Sequence, residues 1–414
     1  MSEFDVIVIG GGPSGSTTGA LLAEQGHRVL LLEREPFPRY HIGESLIPYT
    51  WFTLNRLGVV DWLRRSASPK KYSVQFVSIT GKVSQPFYFF QTIHHECAQT
   101  WQVWRGEFDQ MLLDNAVRKG VTLRQHVTVR DVLMEGSRVV GVRADTKDGV
   151  KGEEIRAKVV VDATGRDSLL SRKFAWKDKD PDLNKIAVWS YFEGAMRDPG
   201  LDEGATTVAY VPQKGWFWYI PLHSNVVSVG VVGEPGYLYR DTHDPDAIFH
   251  REAEACAWIR DHIKVGKQVE PVRVTGEYSY HSQKIGGDGF CLVGDAFAFL
   301  DPLFSTGVFL ALKGGEMAAD SIHAGLAAGR VDAAHFEEYY ARQRRAVMSF
   351  RHLVRAFYDL SFSFREFLQV YPHLNSLIVD TLVGNVFTDL APLFTALEEY
   401  KAKNPRREID VTTA

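Results

Sequence analysis

Cysteine is scarce in this chain: three in 414 residues, Cys97, Cys256 and Cys291, far apart and without metal-ligand spacing. That excludes a disulfide framework and fits a reducing compartment. Long apolar runs are missing as well. The opening MSEFDVIVIGGG has no basic n-region, and its apolar stretch is too short for a signal peptide or a membrane span and ends in glycines. A cytoplasmic protein is expected. There is no excess of one charge either: 47 Lys and Arg stand against 51 Asp and Glu, a net charge of −4. Nothing there asks for nucleic acid or a membrane surface as partner. Internal repeats and low-complexity stretches are absent, so the length predicts two or three domains, or one large composite.

What is present begins with a short β-branched run, FDVIVI at 4–9, of the kind found in buried parallel strands. GGGPSG follows, then a segment with helical apolar spacing, then a second buried run, RVLLLER at 28–34. This is a βαβ unit. Residues 71–90 alternate and contain Gly and Pro, which predicts antiparallel strands. A helix is expected over 106–120, strand, turn and strand over 121–144, and a buried strand over 157–165. Strands are expected within 186–233 and at 272–282, and helix over 245–263. A buried strand at 289–296 meets a polar turn, a helix covers 307–326, and helices run from Ala333 to about Lys401 before a polar tail.

Gly10, Gly12 and Gly15 form a G-x-G-x-x-G between strand and helix. Gly10 permits the tight turn, Gly12 lets backbone approach a pyrophosphate, and Gly15 lets helix pack on strand. The helix N-terminus favours the anion. Glu33 ends the second strand, where a carboxylate accepts hydrogen bonds from a ribose diol. DATGR at 162–166 and CLVGDAF at 291–297 each follow a buried strand, and Asp295 is suited to a ribityl hydroxyl.

Together these three stretches resemble the FAD-dependent aromatic hydroxylase superfamily. The resemblance implies an α/β fold: an FAD-binding doubly wound domain (GR2-type, p-hydroxybenzoate hydroxylase-like) with an inserted antiparallel β-sheet substrate domain and a helical C-terminus. The expected boundaries are 1–70, 100–170 and 275–332 for the FAD domain, 71–99 and 171–274 for the substrate sheet, and 333–414 for the helical region. It also points to Arg39 and Ser45 in RYHIGES, and Arg105 in WRGEF, as cofactor contacts, and to Val129 beside the adenine.

GWFWYIP at 215–221 contains Trp216 and Trp218, two apart, so both point the same way from a strand. On periodicity alone they are ordinary core. Behind an FAD fingerprint, W-x-W-x-I-P resembles the flavin-dependent halogenases. In that family reduced flavin (FADH2), oxygen and chloride or bromide give a hypohalous acid, which reaches a lysine through a tunnel. Bulky indoles keep the organic substrate off the flavin, where oxygen would otherwise be inserted, and exclude water. The family's lysine matches Lys71, with Lys70 as the alternative register; alternation lets only one of them line a tunnel. The lysine acts either by forming a chloramine or by positioning hypochlorous acid. Chloride is expected at the backbone of Thr306 and Gly307, at a helix start, and Gly307 also admits the isoalloxazine.

Tryptophan halogenases carry a glutamate two residues before that threonine; here it is Phe304. The departure implies a phenol or pyrrole substrate, small and aromatic, free or tethered to an acyl or peptidyl carrier protein. A separate flavin reductase is implied, since there is no second nucleotide fingerprint. Arg351 and Arg355, four apart on one helix, are expected to form a solvated face, with contact to a phosphopantetheine arm as the alternative. His94 and His95 precede Glu96, but adjacent strand side chains diverge, so no metal site is expected. The alternatives are an aromatic hydroxylase, an isoprenoid-lipid reductase of the same fold, and a flavoprotein that has lost catalysis.

Overall fold

The structure is a computed structural model and describes residues 4–211, 215–276, 279–359 and 362–404. The polar tail expected beyond Lys401 falls largely outside them.

The continuously apolar runs read from the sequence lie at the centre of a parallel sheet. Its order is Phe290–Leu292, Glu153–Asp162, Phe4–Ile9, Val29–Glu33 and Thr122–Gln125, with Gly286–Gly287 antiparallel at one edge. Val6, Ile7 and Val8 pair with Val159, Val160 and Val161 on one side and Val29, Leu30 and Leu31 on the other; all are buried. Only strands covered on both faces tolerate such runs. The helices Pro13–Glu24, Arg105–Arg118 and Gly307–Ala327 pack on one another against this sheet. The ribbon Val127–Glu135 and Arg138–Thr146 joins the start of Glu153–Asp162.

The second sheet has the order Lys267–Gln268, Ile186–Glu193, Val226–Gly233, Gly215–Pro221, Thr206–Val211, Ser73–Val77 and Phe87–Tyr88, with Arg273–Thr275 also pairing with Ile186–Glu193. Both inserted pieces meet in it, as expected, but not by antiparallel pairing throughout. Thr206–Val211 runs parallel to Ser73–Val77, with Val208 beside Phe76. The 272–282 segment is two strands: Arg273–Thr275 joins this sheet, and Tyr280–Ser282 joins a small sheet with Lys177–Lys179 and Ala298–Phe299. The helix expected over 245–263 breaks at Cys256, whose backbone is extended (φ −102°, ψ 94°).

Strand alternation sorts the second sheet's side chains. Phe217 and Tyr219 face a core built with Phe249 and Trp258 of the helices behind. Trp216, Trp218 and Ile220 face the other way, into a cluster with Trp189, Tyr191, Leu303 and Phe357. The C-terminal helices, Glu337–Tyr358, Phe364–Val370, Asn375–Val383 and Ala391–Lys403, close that side. Arg351 and Arg355 fasten the longest of them: Arg351 reaches Asp180 at 2.6 Å, and Arg355 reaches Asp180 and Asp182 at 3.1 and 3.0 Å. Both arginines are thus ion-paired, rather than forming the simply solvated face expected from the sequence. Among the described residues no helix is long and apolar enough to cross a membrane.

Candidate active site

The glycine loop requires its glycines for two different reasons. Gly10 has φ +103°, and a Cβ there would lie 2.4 Å from the Ala163 carbonyl oxygen; one on Gly15 would lie 2.0 Å from the Gly10 oxygen. At Gly12 a Cβ would meet only Arg39 Nη2, at 3.4 Å. The loop is packed from behind and open in front, as a cradle for a pyrophosphate needs to be. Arg39 supplies the charge at that opening. Its Nη1 is buried, makes no hydrogen bond, and stands 3.5 Å from Asp109. The other terminal nitrogen, Nη2, is the one over the open glycine, where it fits a phosphate oxygen.

Glu33 braces the loop. Its Oε2 accepts Gly11 N–H at 2.7 Å and its Oε1 accepts Glu35 N–H at 2.8 Å, which leaves lone pairs for a ribose. Arg105 chelates Asp109 at 2.8 and 3.0 Å and donates to the carbonyls of Ile42 and Gly43 at 2.8 and 3.3 Å. Its donors are thereby engaged in shaping the 39–45 segment. Asp295 sits in the turn Gly294–Ala296, and its carboxylate makes no hydrogen bond among the described residues. That turn is held on the first helix, since a Cβ on Gly294 would come 2.8 Å from Ser14 Oγ. Val129 is half-buried on its ribbon strand. These residues fit FAD.

Thr306 is buried and precedes the 21-residue helix that starts at Gly307. Gly307 is exposed, and a Cβ on it would meet nothing within 4 Å, so this end of the helix has open space beside it. The preceding turn is pinned by Asp301, which accepts Leu303 N–H at 3.1 Å.

The two lysines differ sharply in burial. Lys70 is exposed, whereas Lys71 is 1% exposed. Lys71 lies in a two-residue strand beside Thr100–Trp101. Its Nζ donates to Ser45 Oγ at 2.8 Å and Leu46 O at 3.1 Å, and lies 5.6 Å from the Phe89 ring centre. Burial with no carboxylate bonded to it pushes the amine down to about 7. Ser45, grouped with the cofactor in the sequence, has its hydroxyl bonded to Lys71 and to Thr206 (2.9 Å).

Trp216 and Trp218 are buried, with ring centres 6.2 Å apart and tilted by 54°. Both indole N–H groups are satisfied. Trp216 donates to Tyr358 at 2.8 Å, and Tyr358 donates to Asp301 at 2.8 Å; Trp218 donates to Ser228 at 3.0 Å. The pair is tied to the Asp301–Gly307 loop through a helix from the far end of the chain. Phe304 is edge-on to Phe357, ring centres 6.5 Å apart, so the position of the missing glutamate is lined by aromatics.

His94 and His95 do not join the site. His94 is exposed, and His95 stacks on Phe52 while its Nδ1 accepts Cys97 N–H. Sequence reasoning missed Glu44, Tyr191 and Tyr40, which are linked by hydrogen bonds beneath the indoles. Glu44 lies inside the quoted RYHIGES, and its position next to Ser45 is the one signal that the sequence carries.

The sequence model of the tryptophan halogenase family matches residues 5–105 and 78–364. The 1H-pyrrole-2-carbonyl-[peptidyl-carrier protein] chlorinase of Pseudomonas fluorescens is 30% identical over 410 residues, covering 93% of this chain and 90% of that protein. The corresponding brominase of Pseudoalteromonas luteoviolacea is 34% identical over 330 residues, 78% of each. The solved structure of the flavin-dependent brominase Bmp2 superposes with a TM-score of 0.87 at 31% identity, over 97% of this chain and 99% of that one. The myxobacterial chondrochloren halogenase CndH superposes with a TM-score of 0.80 at 33% identity, over 99% and 92%. Relatives of its own length, a family match along most of the sequence and a cradle suited to FAD agree: the chain belongs to the flavin-dependent halogenases, enzymes that use FAD, oxygen and halide.

Proposed function

We propose that this halogenase modifies an electron-rich ring, a phenol or a pyrrole, presented as a thioester on a carrier protein. Its two similar pyrrole-2-carbonyl enzymes support the tethered substrate, and Phe304 in place of a glutamate supports a ring that supplies its own electron density. A separate reductase supplies reduced flavin, and the reaction runs in the cytoplasm. The domain limits expected from the sequence are kept as the working division of the chain.

When bound, the cofactor supplies the oxygen chemistry: reduced flavin, oxygen, chloride and one proton give oxidised flavin, hypochlorous acid and water. The chain's own groups divide the remaining work. The Gly10–Gly15 loop, Arg39, Glu33, Asp295 and Val129 hold the dinucleotide, and Arg105 shapes the segment along it. The N–H groups of Thr306 and Gly307 hold the halide, in the field of a helix start. Trp216 and Trp218 separate the flavin from the aromatic ring. Lys71, buried and close to half unprotonated near pH 7, receives hypochlorous acid at Nζ. The ring then takes chlorine and gives up its proton, with water as the other product, and the neutral amine is the base at hand.

The observation that carries this reading is the burial of Lys71 on Ser45 and Leu46 with no counter-ion bonded to it among the described residues. The test supplies FAD, a flavin reductase, NADH, oxygen and chloride or bromide. Phenols, free pyrrole-2-carboxylate and its carrier-bound thioester are offered, and products are read by mass spectrometry. A halogen isotope pattern on the carrier-bound ring, lost in Lys71→Ala, is expected. A hydroxylated product that ignores halide would replace this reading with the hydroxylase one.

A further inference from the structure

The balance above consumes one proton for each chloride oxidised, in a compartment that must exclude water. A buried acid lies along that compartment. Glu44 is 1% exposed and belongs to the segment running from Arg39, at the glycine loop, to Ser45, at Lys71. Its Oε2 is buried and makes no hydrogen bond. Its Oε1 accepts the Tyr191 hydroxyl at 2.6 Å, that hydroxyl meets the Tyr40 hydroxyl at 3.0 Å, and Tyr40 is 43% exposed.

The direction of these bonds is fixed by chemistry. Trp189 Nε1 can only donate, and it donates to the Tyr40 oxygen at 2.7 Å. The Tyr40 proton is therefore free to point at Tyr191, and the Tyr191 proton points at Glu44. The chain of donors runs inward from the exposed residue. The groups facing it are few: Arg105, held by Asp109, acts on both Glu44 and Asp295; the Arg273 guanidinium lies 4.0 Å over the Tyr40 ring; and the Ser228 hydroxyl faces the carboxyl. Burial outweighs their pull and lifts the carboxyl to about 7.

We propose that Glu44 is the proton store for halide oxidation, refilled from the surface through the hydroxyls of Tyr40 and Tyr191. In each refilling the Tyr191 proton passes to Glu44 Oε1, the Tyr40 proton replaces it on Tyr191, and a buffer acid reprotonates Tyr40. One proton moves from solvent to the carboxyl, and both hydroxyls are restored. The role rests on the halogenase reading of the flavin compartment.

The full chain without flavin provides the decisive measurement, infrared spectroscopy after a pH jump. A protonated-carboxyl band lost in Glu44→Gln, and titrating near pH 7 in the wild type, is expected. Its appearance is expected to slow on the order of tenfold or more in Tyr191→Phe and Tyr40→Phe. Glu44→Asp, which moves the band rather than removing it, gives the assignment if the Gln variant misfolds. In turnover, Tyr40→Phe is expected to lower kcat with KM for the aromatic substrate unchanged. Equal protonation rates in the tyrosine variants, the absence of a Glu44 band at pH 6, or loss of FAD binding in Tyr40→Phe would overturn the relay. A chain that passes this test but yields no halogenated product would contradict the enzyme reading alone.

Discussion

At the scale of one residue, the role proposed for Lys71 sets activity against stability. Burying the amine lowers its proton affinity from the usual 10.5 to about 7. Between those values the unfolded chain binds the proton and the folded chain does not, so this site's contribution to stability rises with pH across that window. Below pH 7 the full penalty applies, about 5 kcal/mol. Lys71→Met is therefore expected to raise the melting temperature at pH 7, with a gain that shrinks towards pH 10, while halogenation of the ring is lost. Thermal denaturation at several pH values checks the first, and product analysis the second. In the wild type, ring halogenation is expected to rise with pH towards about 7 as the amine loses its proton, and to fall above it as Glu44 loses its own. The lysine pair was legible in the sequence, and the resemblance favoured Lys71, but the burial that separates the two was not. That burial depends on which residue of a two-residue strand meets Ser45 and Leu46, and both partners come from a loop with no periodicity to read.

At the scale of the element, the W-x-W strand is held from two directions. Gly230 faces Trp218 across the sheet, and a Cβ there would lie 2.3 Å from the indole; Trp189, on its other neighbour, would be 2.4 Å away. Gly230→Val is expected to cost about 1–3 kcal/mol by overpacking and to tilt Trp218 out of line, raising the share of oxygenated or halide-independent product. Denaturant melts and product ratios check both parts. Tyr358→Phe removes the link between Trp216 and Asp301. It is expected to cost about 1 kcal/mol and to weaken halide affinity, read as the halide concentration for half-maximal rate. Element type was legible wherever the apolar pattern was strong, as in Phe4–Ile9, Val29–Glu33 and Glu153–Asp162. It was less so at Cys256 and within 272–282, where side-chain pattern alone gave no sign of a break. The Tyr358 tie was not legible, because it joins residues 142 apart in the chain.

At the scale of the whole molecule, the residues proposed to hold the cofactor come from segments far apart in the chain: the first loop, the 39–45 segment, the 294–296 turn and the 307 helix. Binding FAD is therefore expected to stabilise the parallel sheet and the helices packed on it. At a free concentration one hundred times Kd, FAD is expected to add about 2.7 kcal/mol and to shift a single transition upward, which calorimetry reads directly. The three nucleotide stretches made this composite legible before any coordinates. What they did not reveal is the parallel seam between Ser73–Val77 and Thr206–Val211, because sheet neighbours are chosen by packing rather than by local pattern. That seam bears on how the protein is made. Gln75 and Thr207, bonded across it at 2.8 Å, are separated by 132 residues. At ribosomal speeds the earlier strand waits on the order of ten seconds for its partner, so a nascent chain stalled before Thr207 displays a bare strand edge and should depend on chaperones far more than the finished enzyme does.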